Sequence, residues 1–123
     1  LAAASRRWPL ALLTNKPIAM TSTLVDHLGW RRYFRIVVGG DSLAFRKPDG
    51  RSLEHVAREL GVAAERVLLV GDSRIDLETA NAAGAAFFWV EWGYAAEQDR
   101  GGLATGPRVA SAAALLRLLE ALP

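Results

Sequence analysis

The sequence contains no cysteine, which removes disulfide frameworks, thiolate nucleophiles and cysteine metal sites together. Lysine is almost missing as well: of 15 basic residues only Lys16 and Lys47 are lysines, and both precede a proline. A compact ammonium differs from a guanidinium fork, so these two positions stand out as candidates for a specific task. No apolar run approaches the roughly 20 residues of a membrane span, and no signal peptide is visible, so a cytoplasmic location with no membrane partner is expected. Basic tracts interleaved with aromatics are lacking too. The formal charge is +2, and the pI of 9.5 reflects the high pKa of arginine. Arg6-Arg7 and Arg31-Arg32 read as isolated solvated pairs, and nucleic acid is not an expected partner. No strand is followed by Gly-x-Gly-x-x-Gly, which excludes a dinucleotide module.

What is present describes a folded α/β domain. At 123 residues the chain is one domain at most, and its 51% hydrophobic content, with Trp8, Trp30, Trp89 and Trp92, excludes disorder. Leu1–Arg7 reads as the end of a helix that starts upstream, so the sequence is expected to be part of a longer one. Leu10–Leu13 reads as a short buried strand ending in Thr14 and Asn15. Lys16-Pro17 then opens a helix whose apolar face is Thr21, Leu24, Val25 and Leu28, stopped by Gly29. Phe34–Val38 is the second strand, followed by Gly39-Gly40-Asp41 and Lys47-Pro48-Asp49. Leu53, Val56, Ala57 and Leu60 mark a helix ended by Gly61. Val67–Val70 is an unbroken apolar run, predicting a strand buried on both faces, with a helix over Ile75–Ala83. Ala86–Val90 is the fourth strand. A polar loop from Gln98 to Gly106 precedes a last helix, Ser111–Leu122, expected to bury Leu115, Leu118, Leu119 and Leu122. Alternating strands and amphipathic helices predict a doubly wound parallel sheet.

In such a sheet the polar residues behind each strand emerge at one carboxyl edge, where ligands bind. Thr14 and Asn15 follow the first strand, Lys47 the second, Asp72 and Asp76 the third. Together they offer a hydroxyl, a backbone N–H, an ammonium and carboxylates, a set suited to phosphoryl oxygens and a hard cation such as Mg²⁺. Asp76 has a second reading. Ser73-Arg74-Ile75-Asp76 fits a capping box, in which Asp76 serves only the positive end of its helix. His27 and His55 read as surface or packing residues.

The motifs Thr14-Asn15-Lys16-Pro17, Gly39-Gly40-Asp41, Lys47-Pro48 and Gly71-Asp72-Ser73-Arg74-Ile75-Asp76 resemble, in order, the haloacid dehalogenase superfamily, and most closely its phosphoglycolate phosphatase-like branch. The resemblance implies a Rossmann-like core and Mg²⁺-dependent hydrolysis of a small phosphorylated metabolite through an aspartyl-phosphate. It implies that Thr14, with the backbone around Asn15, and Lys47 bind the phosphoryl group. Asp72 would hold the metal, and Asp76 would support the metal's waters or orient Lys47. One departure is large. The family's nucleophile and acid/base residue lie in an Asp-x-Asp-x-Thr motif on the first core strand, and none is present. Asp26, Asp41 and Asp49 are poor replacements. The chain is therefore expected to be the C-terminal part of such a core, without its cap and first strand, inactive alone, with a gap between the Leu10–Leu13 and Val67–Val70 strands. Bare edges there make self-association an expectation. Two alternatives stand: a non-catalytic remnant acting by binding or assembly, and a receiver-type phosphoacceptor domain.

Overall fold

The computed structural model describes residues 1–93 and 107–122. In chain order the elements are α1 (Ala2–Ser5), β1 (Leu10–Leu13), α2 (Ile18–His27), β2 (Phe34–Val38), α3 (Arg51–Leu60), β3 (Leu68–Gly71), α4 (Arg74–Ala83), β4 (Ala86–Val90), β5 (Arg108–Val109) and α5 (Ala112–Glu120). Single 3-10 turns at Arg31–Tyr33 and Ala64–Arg66 lead into β2 and β3. The Gln98–Gly106 loop lies outside the described residues, and β5 is a short strand that the hydropathy pattern did not announce.

All strand pairing is parallel, but it falls into two sheets, β1-β2 and β3-β4-β5, with no hydrogen-bonded ladder between them. β3 is thus an edge strand, and β1 pairs on one side only. The sheets nevertheless share a core. Val38, Leu53, Val56 and Ala83 form its centre, and Ala11 and Leu13 of β1, Ile36 of β2 and Leu69 of β3 pack against it. α3 supplies Leu53 and Val56, both 2% exposed, because a strongly amphipathic helix turns one stripe inward. A second cluster lies under α4, where Ala80 covers Phe87 and Trp89, alternate residues on one face of β4 with their rings edge to face at 5.8 Å.

The local signals that end helices hold. Gly29, Gly61 and Gly84 sit at φ of +66°, +73° and +70°, the left-handed conformation that glycine adopts without a Cβ clash. Burial was over-read, however. β1 is only half-buried along its length, and the third strand runs Leu68–Gly71, one residue later than expected, with Val70 38% exposed. An apolar run predicts two covered faces only where other elements pack on both, and Val70 is not so covered. On α2 only Thr21 and Val25 are buried, while Leu24 and Leu28 are exposed; on α5 Leu118 and Leu122 are exposed, and Leu115 and Leu119 are half-buried. Both helices carry apolar stripes wider than the surface beneath them.

Candidate functional site

Three hydrogen bonds tie the carboxyl end of β1 to that of β3. Asn15, two residues past β1, donates Nδ2–H to the backbone carbonyl of Lys47 at 2.8 Å. Lys47 turns its side chain inward and donates Nζ–H to Asp76 Oδ1 at 2.5 Å, with only 13% and 8% of the two side chains exposed. Asp76 Oδ2 accepts the backbone N–H of Asp72 at 3.2 Å and the Ser73 hydroxyl at 3.0 Å. The relay Asn15–Lys47–Asp76–Asp72 therefore bridges two sheets that share no ladder, holding the ammonium at both its backbone and its tip. Thr14 precedes Asn15 in the chain, its Oγ1 accepting the Lys16 N–H at 3.2 Å.

Local chemistry explains why each segment arrives there. Thr14 continues the β1 ladder through its N–H to the Val38 carbonyl at 3.0 Å, and Gly40 N–H then meets the Lys16 carbonyl at 2.8 Å. At that crossing a Cβ on Gly40 would lie 2.1 Å from the Asn15 carbonyl oxygen, and one on Gly39 2.6 Å from the Ile18 nitrogen. Only glycine lets the two loops approach so closely. Asp41 Oδ1 accepts the Ile18 N–H at 2.7 Å, satisfying an orphan donor at the start of α2. At β3, a Cβ on Gly71 would meet Asp76 Cβ at 2.5 Å. Ser73 caps α4 by accepting the Asp76 N–H at 3.3 Å. Asp76 thus belongs to the helix cap and also anchors Lys47.

Four features escaped the sequence reading. The Asn15 amide, and not only the backbone near it, reaches Lys47. Asn15 Oδ1 is buried without a hydrogen-bond partner among the described residues. Asp41 was seen as part of a motif but not as a cap. Gly93 packs on the metal candidate, since a Cβ there would fall 2.1 Å from Asp72 Cβ. Only the glycine spacing carried any signal of these, because close approach between distant segments is a tertiary property. Lys16 separates from its twin: it is exposed and enters the site through its backbone N–H and carbonyl.

The donor set fits a divalent cation in part. Both Asp76 oxygens accept hydrogen bonds, and the Asp72 carboxylate is the candidate hard oxygen ligand. Among the described residues no group of three or more acidic, His or Cys side chains converges. Mg²⁺ commonly takes one or two carboxylates and completes its shell with water and substrate phosphate, so one carboxylate is a fitting share. Among the described residues the other aspartates are committed elsewhere. Asp26 is bonded to Arg31 at 2.9 Å, a hydrogen bond that holds its carboxyl below the usual range. Asp49 is held low in the same way by Arg51 at 2.7 Å, and Asp41 is committed to its cap. His27 is exposed, His55 is half-buried on α3, and neither is hydrogen-bonded to a site residue.

Comparison with known proteins decides the family, since residues 1–84 match the model of haloacid dehalogenase-like hydrolases. The chain belongs to that family. This assignment sets aside the receiver-domain alternative. The chain is 46% identical to a phosphoglycolate phosphatase of Mesorhizobium japonicum over 85 residues, covering 69% of the chain and 37% of the relative. It is 41% identical to a plasmid-encoded phosphoglycolate phosphatase of Cupriavidus necator over 124 aligned positions, covering 100% of the chain and 51% of the relative. Among solved structures, a candidate phosphoglycolate phosphatase from Lactobacillus delbrueckii subsp. bulgaricus superposes with a TM-score of 0.79 at 27% identity, covering 90% of the chain and 46% of the neighbour. The chain thus spans about half the length of these haloacid dehalogenase-like relatives.

Proposed function

We propose that this chain supplies the phosphate- and metal-holding half of a Mg²⁺-dependent phosphomonoester hydrolase acting on a small phosphorylated metabolite of the phosphoglycolate kind. The observation that carries the reading is the Lys47–Asp76 pair at the carboxyl edge, an enclosed ammonium joined to Asn15 through the Lys47 carbonyl and to the Asp72 N–H through Asp76. In this reading the Thr14 hydroxyl and the backbone around Asn15 donate to the phosphoryl oxygens. Lys47 neutralises their charge, and Asp76 keeps Nζ in position. Asp72 would hold Mg²⁺, which when bound offsets the charge that develops on the transferring group. The ester P–O bond breaks as an aspartate from outside these 123 residues takes the phosphoryl group, and water then cleaves the acyl phosphate. The fold and the family do not choose the ester, so phosphoglycolate rests on the relatives' names alone.

A chimera tests this reading. The 123-residue chain alone is expected to release no phosphate from phosphoglycolate in Mg²⁺. Grafted in place of the matching half of the Cupriavidus necator relative, it is expected to give turnover that chelation abolishes. Metal-dependent phosphate release by the chain alone would overturn the division of labour. A folded, inactive chimera would favour the non-catalytic alternative. Self-association of the chain is part of the same proposal, because a strand edge without a partner is a template for another strand. Sedimentation velocity at rising concentration should show growing species, and a monomer throughout would refute it.

A further inference from the structure

At the opposite, amino end of β1 and β2 lies a basic cleft that the phosphoryl-transfer reading does not use. The sequence repeats a small pattern before each strand: Arg6-Arg7-Trp8 before β1 and Arg31-Arg32-Tyr33 before β2. In the sequence these look like separate surface pairs. Parallel pairing, with Leu10 opposite Phe34, lays the two segments side by side. Arg6, Arg7 and Trp8 of the first segment and Arg32 and Tyr33 of the second line a cavity of about 380 Å³ together with Arg35, and no carboxylate is among its lining residues. Arg31, the one member with an acidic partner, is bonded to Asp26 outside the cavity, whereas Arg6, Arg7, Arg32 and Arg35 form no ion pair among the described residues. Two of the guanidinium groups are ordered on rings: Arg7 lies 4.7 Å from the Trp8 centroid and Arg32 5.0 Å from that of Tyr33. Stacking of this kind holds a guanidinium plane in place and leaves its edge N–H groups to donate outward.

Four uncompensated positive charges around one concavity repel one another, and a multivalent anion relieves that repulsion. Guanidinium forks match phosphoryl oxygens in pairs, and two neighbouring basic segments present two such receptors. The stacked arginines cover one face of each ring, so the cleft is built to read phosphoryl groups and not a nucleobase. We propose that this cleft binds a compact polyphosphate, two or more linked phosphoryl groups, at a site separate from the Lys47 pocket.

Titration of the 123-residue chain with inorganic pyrophosphate tests it, by calorimetry for affinity and by NMR for location. At about 0.15 M ionic strength, where diffuse surface attraction is largely screened, pyrophosphate should bind at least about tenfold more tightly than orthophosphate and shift the Trp8 indole signal. Arg7→Ser/Arg32→Ser, both exposed positions whose folding is checked by circular dichroism, should weaken binding at least about tenfold. Adenosine diphosphate should bind no more tightly than pyrophosphate. Equal affinity for orthophosphate, binding untouched by the double substitution, tighter binding of the nucleotide, or shifts confined to Thr14, Asn15 and Asp72 would each overturn the proposal.

Discussion

Replacing Asp76 with alanine is expected to destabilise the chain by about 3 kcal/mol, the largest loss of any single substitution at the site. The change removes a carboxylate bonded to the enclosed Lys47 ammonium and withdraws the acceptor from the Asp72 N–H and the Ser73 hydroxyl. A buried charge left without its partner is costly because neither water nor another dipole replaces the lost interaction. Lys47→Met/Asp76→Ala should then be less damaging than the two single changes added together, since the second change removes the stranded charge. Urea unfolding below the concentration at which the chain associates measures both. A loss under about 1 kcal/mol for Asp76→Ala would mean that Lys47 finds solvent easily and that the relay is not structural.

Lys47→Arg is expected to lower turnover of the active chimera by at least about 10²-fold, the scale of losing one preorganised electrostatic contact. Charge is conserved, so the effect is geometric. Lys47 meets Asp76 through a single donor at 2.5 Å inside a space that leaves 13% of its side chain exposed. A planar fork with five donors does not fit a point contact of that size. His27→Gln and His55→Gln should stay within about twofold, the ordinary effect of surface and partly packed positions. Normal turnover in Lys47→Arg would remove Lys47 from the chemistry.

The parts of this molecule that were legible in the sequence are those written locally. Gly29, Gly61 and Ser73 mark helix ends because φ and cap chemistry depend on neighbouring residues. The Phe34–Val38 strand shows as a run of apolar and β-branched residues. Asn15, Lys47, Asp76 and Asp72 meet for a topological reason: in a parallel sheet, whatever follows the strands emerges at one edge. What depended on distant segments was not legible. Val70 is apolar yet exposed because it is not covered by another element. Leu24 and Leu118 keep their place on an apolar stripe, but no surface lies opposite them. The Asn15 bond to the Lys47 carbonyl and the contact of Gly93 with Asp72 arise between segments that only the fold brings together. Arg6, Arg7 and Arg32 make the same point, since each reads as solvated until strand pairing places them in one cleft.

The central claim is that these 123 residues hold the phosphoryl group and the metal while the nucleophile comes from elsewhere. Acid-quenching the chimera during turnover, digesting it and locating the phosphorylated aspartate by mass spectrometry tests this most directly. The phosphoryl group is expected on the half contributed by the Cupriavidus necator relative, with none on Asp26, Asp41, Asp49, Asp72, Asp76 or Asp99. A phosphoaspartate at any of those six positions would contradict the account.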